Sequence, residues 1–87
     1  MKLKNDFELI NFVDEYMAVP IGKNTAEFKG VVVLNEAAFY LLSNMKENVN
    51  DTRLIELLID QYDVDEATAE SDVKQFISDM FEMGLLD

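Results

Sequence analysis

The order of apolar and polar positions divides the chain into a β-rich first part and a helical second part. Two apolar segments, Phe7 to Val13 and Tyr16 to Ile21, are rich in aromatic and β-branched residues. The acidic pair Asp14–Glu15 separates them, so the pattern predicts a hairpin. Pro20 donates no ladder hydrogen bond and is therefore expected at a strand end or on an unpaired side.

A third strand is predicted from Phe28 to Leu34, and it leads directly into a helix. The segment Gly22 to Asn24 contains residues that tolerate positive φ, which favours a reversal before this strand. Gly30 is a candidate β-bulge. Asn35 follows the strand and can accept a hydrogen bond from the first helical turn. Two sets of alternate side chains can face the core, and the pattern leaves both open: Val31 with Val33, or Val32 with Leu34.

Beyond Asn35 the spacing of apolar residues changes from two to about 3.6, which predicts three helices. The first continues with apolar residues up to Met45. A polar break at residues 48–51 precedes the second, Leu54 to Tyr62, which is apolar on more than half of its circumference and is therefore expected to be buried. The third is predicted from Glu66 to Met83.

Both ends of the third helix have capping signals. Asp63 with Glu66 fits a capping box, and Asp65 is an equally good cap. At the other end Gly84 stands where a left-handed residue is needed, so the leucines that follow are expected to pack inward. The apolar stripe of this helix is wider than a surface helix requires, and two contact faces are expected.

Composition restricts the class of protein. The 87 residues are 49% hydrophobic and include no cysteine, which is typical of one domain, spanning residues 1–87, in a reducing compartment. There is no recognisable export signal and no run of about 20 apolar residues. The formal net charge is −11, so a phosphate backbone would be repelled. We therefore expect a cytoplasmic protein that binds neither nucleic acid nor membrane.

The residues that most often perform catalysis are missing or have no partner. The chain has no histidine and no cysteine, and these are the side chains best suited to acid–base and thiolate chemistry near neutral pH. No imidazole is present to activate Ser43, Ser71 or Ser78. Acidic pairs such as Glu70 and Asp72 are expected to be solvated. The sequence thus predicts no catalytic residues, no metal site and no cofactor.

Three antiparallel strands followed by three helices, sharing one small core, form an α+β, winged-helix-like arrangement. Many such folds bind DNA, but the second predicted helix, Leu54 to Tyr62, contains Glu56 and Asp60 and is too apolar to lie in a groove of DNA. The fold is therefore predicted without that function.

From about Val31 to Leu86 the chain resembles the PqqD-like proteins, also called RiPP precursor recognition elements. The family pattern is carried by residues at the strand-to-helix junction, within each helix and at the end of the chain: Leu34-Asn35, Ala38, Leu41, Thr52, Ile55, Leu58, Tyr62, Val64, Asp72-Val73, Phe76 and Gly84-Leu85-Leu86. At Asn50-Asp51 the sequence departs from the glycine-containing turn of many members.

The resemblance implies a module that binds the leader segment of a ribosomally made precursor peptide and presents it to a modifying enzyme, often a radical SAM enzyme. It implies that the leader adds as a strand beside the third strand, packs on the third helix and undergoes no chemistry there. The residues support this mode independently, because the last strand of a meander has a free edge. The predicted peptide-binding residues are Phe28, Gly30, Val31, Val32, Val33, Leu34, Val73, Phe76, Ile77, Met80, Phe81 and Met83.

A second hypothesis keeps the fold and changes the binding surface. In it, the protein is a winged-helix interaction or regulatory domain that contacts other proteins through its acidic helical face, which includes Glu56, Asp60, Asp63 and Asp65. A monomer is expected, with a dimer as the alternative.

Overall fold

The computed structural model describes residues 1–22 and 30–87. Three antiparallel strands precede three helices, as predicted: β1 (Phe7–Phe12), β2 (Glu15–Pro20), β3 (Val32–Leu34), α1 (Glu36–Ser43), α2 (Asp51–Tyr62) and α3 (Glu66–Glu82). The predicted start of the third strand, Phe28, lies outside the described residues. The described part of that strand begins at Val32, and α2 begins three residues before its predicted start because Asn50 caps it.

The hairpin between β1 and β2 turns at Val13 and Asp14. Both residues have positive φ, 48° and 62°, and Phe12 pairs with Glu15 across the turn. Two central residues with positive φ form the type I′ turn, whose twist matches that of the strands. The predicted turn at Asp14–Glu15 is therefore wrong by one residue. Pro20 ends β2, as predicted.

The structure decides which face of β3 points inward. Leu34 is 6% exposed and Val32 packs against the core, whereas Val33 is 75% exposed. The sheet order is β1-β2-β3, so β3 lies at an edge. Gly30 has a φ of 122° and lies in a bend ahead of β3, outside the ladder, so the predicted bulge within the strand is wrong.

Polar side chains cap the first turns of α1 and α3, as the sequence predicts. The Asn35 side chain accepts a hydrogen bond of 2.8 Å from the Ala38 amide. At α3 the cap is Asp65, which accepts a bond of 2.7 Å from the Thr68 amide. Asp63 instead ends α2 in the left-handed conformation, so the capping-box alternative with Asp63 is wrong.

The end of α3 confirms the predicted glycine stop. Gly84 has a φ of 79°, and its amide donates to the Phe81 carbonyl at 3.1 Å. The Leu85 amide donates to the Met80 carbonyl at 2.9 Å. Together these bonds form a Schellman motif. Leu85 and Leu86 are buried, which confirms that the tail packs inward.

The N-terminal segment pairs with this tail, a contact that the sequence does not predict. Leu3 forms a bridge with Leu86, and the Lys4 amide donates to the Leu85 carbonyl at 2.9 Å. Leu3 is buried, so both ends of the described chain contribute to one core.

The packing of the helices leaves a space between β3 and α3. Helix α1 packs against all three strands and against α2, whereas α3 packs mainly against α2. The sheet therefore packs chiefly on α1, and α3 does not pack along the sheet. None of the helices in the described part of the chain is both long and apolar enough to cross a membrane.

Candidate functional site: a groove between β3 and α3

A groove of about 600 Å³ occupies the space between β3 and α3. The end of β3 forms one wall and α3 forms the other, while α1 and α2 form the floor. Its lining consists of Val33, Leu34, Asn35, Ala37, Ala38, Leu41, Leu58, Tyr62, Val64, Asp72, Gln75, Phe76, Asp79, Met80 and Met83. Most of these side chains are apolar, which is typical of binding sites.

Within the described residues, the groove is bordered by a strand edge whose main-chain groups pair with no further strand. Among residues 1–22 and 30–87, β3 pairs with β2 on one side and with no strand on the other. β1 lies at the opposite edge of the sheet and, of its residues, none lines the groove. The free amides and carbonyls of β3 are therefore next to the apolar cavity, and this combination favours an extended ligand.

The face of α3 toward the groove combines apolar and acidic side chains. Phe76 and Met80 are buried at its base. Between them Asp79 is half-buried, and its Oδ1 accepts a hydrogen bond of 2.8 Å from Gln75 Nε2. Asp72 is exposed one helical turn before Phe76. The wall is thus apolar at its base and negatively charged along its rim.

The floor of the groove includes two small alanines and the aromatic ring of a tyrosine. Ala37 and Ala38 add a single carbon each to the lining. The Tyr62 hydroxyl donates to Glu36 Oε1 at 3.4 Å, and its ring packs edge-on against Tyr40 at a centroid distance of 6.0 Å. Burial, and then the neighbouring Glu36 carboxylate, raise the pKa of Tyr62 above its ordinary value. The hydroxyl therefore stays protonated and neutral.

The structure brings part of the predicted binding set to the groove. Five of the predicted residues line it: Val33, Leu34, Phe76, Met80 and Met83. Their role as peptide contacts stays a prediction.

The other predicted residues lie elsewhere. Val73 is fully buried in the core and Ile77 packs against that core, whereas Phe81 is 47% exposed and is not part of the lining. Three more are the core-facing Val32 and the two exposed residues that precede β3, Gly30 and Val31. Phe28 lies outside the described residues.

Sequence reasoning missed Ala37, Gln75 and Asp79, and it expected Asp72 to be an ordinary solvated acid. A signal exists, since Asp72, Phe76, Asp79 and Met83 recur at helical spacing and so share one face of α3. Their mixed polarity hides this face, because the spacing of apolar residues alone does not reveal it. No group of acidic side chains within the described ranges is placed to hold a metal ion.

Comparisons with known proteins bear on the fold and the family of the chain. The solved structure of TbiB1 in complex with the TbiA(beta) leader peptide matches with a TM-score of 0.78 and 18% sequence identity, covering 100% of this chain and 95% of that chain. At this identity the likeness establishes a shared fold. No curated protein sequence matches the chain. The model of the family described as coenzyme PQQ synthesis protein D (PqqD) matches residues 15–86, and the chain therefore belongs to the PqqD family.

Proposed function

We propose that this protein is a non-catalytic module that binds the leader segment of a ribosomally made precursor peptide. The leader adds as a fourth strand at the free edge of β3 and places apolar side chains in the groove. The observation that carries this proposal is the apolar groove beside a strand edge that pairs with no other strand in the described part of the chain. Membership of the PqqD family supports it, as does the fold shared with TbiB1, a protein solved with a leader peptide bound.

Strand addition explains how one small site obtains both affinity and register. Main-chain hydrogen bonds to β3 fix the position of the leader along the edge and depend little on its sequence. Alternate leader side chains point toward the helices, where Phe76, Met80 and Met83 offer apolar contacts. Methionine side chains are flexible and fill irregular gaps, so this wall can adapt to different apolar anchors.

The chemistry belongs to a partner enzyme in this proposal. The chain contains no histidine or cysteine, so it holds the leader while a modifying enzyme, a radical SAM enzyme in our proposal, acts on the rest of the precursor. Binding the leader through its backbone leaves the segment to be modified outside the groove.

The first test maps the contact surface by NMR. The ¹⁵N-labelled protein is titrated with the leader peptide encoded beside its gene. We expect amide shifts concentrated at 31–35 and 72–83, because these segments form the two walls of the groove. Shifts confined to α2, with its exposed Glu56 and Asp60, would contradict the proposal and favour docking through the acidic helical face.

The second test removes a single main-chain donor from the edge. Successive amides in a strand point to opposite sides, so one of Val32 and Val33 donates toward β2 and the other toward the free edge. Proline at the outward position should leave the fold intact and weaken leader binding more than alanine at the same position. If the folded proline variant binds as well as its alanine counterpart, strand addition at β3 is wrong.

A further inference from the structure

We propose that the groove selects leaders with a lysine or arginine whose charged head binds Asp79 and Gln75 on α3. This inference rests on the proposed function and specifies the charge of one side chain of the leader. The groove itself, with its free β3 edge, provides the binding site, and the acidic wall decides which side chain is preferred there.

Asp79 and Gln75 form a ready-made acceptor pair. The Gln75 amide nitrogen donates to Asp79 Oδ1, which holds the two side chains together across one helical turn. This bond uses the Gln75 amide nitrogen and Asp79 Oδ1. The Gln75 side-chain carbonyl oxygen and Asp79 Oδ2 remain as acceptors for a ligand. Two neighbouring acceptors match the several donors of an ammonium or guanidinium group.

Nothing in the described part of the protein neutralises this wall. No lysine or arginine is among the groove residues that the structure describes. The ion pairs found within residues 1–22 and 30–87 lie outside the groove, Arg53 with Glu56 at 3.5 Å and Lys74 with Glu70 at 3.8 Å. With a net charge of −11 on the chain, the surrounding field also favours a cationic ligand over an acidic one.

The apolar surface around Asp79 favours a basic side chain with a long apolar stem. Asp79 lies beside Phe76, Met80 and Met83, so a chain that reaches it from the β3 edge crosses apolar surface. Lysine and arginine place their methylene stems on such surface while the charged head stays at a polar rim. A peptide strand held at β3 directs every second side chain toward α3.

The preference can be measured without knowledge of the natural leader. Purified protein selects binders from a random library of displayed linear peptides, and the same selection is run with Asp79→Asn and with Glu82→Gln. Glu82 is exposed and lies on α3 outside the groove lining. Glu82→Gln removes one negative charge, as Asp79→Asn does, and is therefore the matched control. We expect lysine or arginine to be enriched at one position among apolar anchors for the wild type and Glu82→Gln, and this enrichment to be lost for Asp79→Asn.

A double-mutant cycle then isolates the contact. A selected peptide and its variant with methionine in place of the basic residue are titrated against each protein. If the ion pair with Asp79 contributes about 1 kcal/mol, replacing the basic residue by methionine lowers the affinity of the peptide about fivefold. We expect that loss on the wild type and on Glu82→Gln, and almost none on Asp79→Asn.

The outcomes separate the two proposals. Selected peptides that bind in the groove but show no basic residue, or an equal methionine effect on all three proteins, would overturn the charge preference and leave peptide binding in place. If the wild type selects no peptide at all, both proposals fail.

Discussion

Replacing Ala38 by leucine is expected to fill one part of the groove floor without disturbing the fold. Ala38 is a half-buried floor residue of α1, and a leucine there adds three carbons to a cavity of about 600 Å³. Burying one apolar side chain of the leader is worth about 2 kcal/mol. If the added carbons displace that side chain, leader affinity falls by about thirtyfold. The stability should change by less than about 1 kcal/mol, because the carbons extend into the groove rather than into packed core.

The assay pairs fluorescence anisotropy, which measures the affinity for a labelled leader peptide, with urea unfolding. Ala67→Leu is the matched control, because Ala67 is exposed on α3 and lies outside the groove lining. It should bind the leader like the wild type. Ala37→Leu, at the neighbouring floor position, repeats the test if Ala38→Leu proves unstable. Affinity within about twofold of the wild type for a folded floor variant would refute the idea that apolar anchors occupy this part of the groove.

Two further predictions concern the ends of α3. Gly84→Ala should lower the free energy of unfolding by about 1 kcal/mol, because alanine is strained at a φ of 79°; an unchanged urea midpoint would contradict this reason. Hydrogen bonds from the Thr68 hydroxyl and amide hold the pKa of Asp65 below its ordinary value of 3.8. Because this pKa is lower in the folded state, the stabilisation is complete above pH 3.8 and is lost as the pH falls through the folded value. Asp65→Asn keeps a capping side chain that does not titrate. As the pH drops below 3.8, the free energy of unfolding measured in urea should therefore fall for the wild type relative to this variant. A difference between the two proteins that does not change with pH would refute this cause.

Local signals predicted much of the fold because the atoms that create them are close in sequence. The Asn35 cap and the Gly84 stop each depend on hydrogen bonds within a few residues, and both predictions were confirmed. The same proximity explains the errors. Asp63 and Asp65 are both good caps in isolation, and the path of the chain between α2 and α3 decides which of them begins α3.

The candidate site was predicted only in part, because it depends on contacts between distant segments. Helical spacing identified Phe76 and Met80 as members of one stripe on α3. It did not separate residues that line the groove from Val73, which is buried in the core. Asp79 carries no signal of this kind in the sequence, since an acidic residue on an amphipathic helix is usually solvated.

The sequence by itself determined the order of strands and helices, the positions of the main caps and the absence of histidine and cysteine, because these properties are local or compositional. Only the tertiary structure decided which face of β3 points inward, since all four residues from Val31 to Leu34 are apolar and either set can be buried. It also placed α3 across from the β3 edge, because α1 packs on the sheet whereas α3 packs mainly on α2, which leaves a gap between β3 and α3. The groove exists in that gap, and no single segment of the sequence contains it.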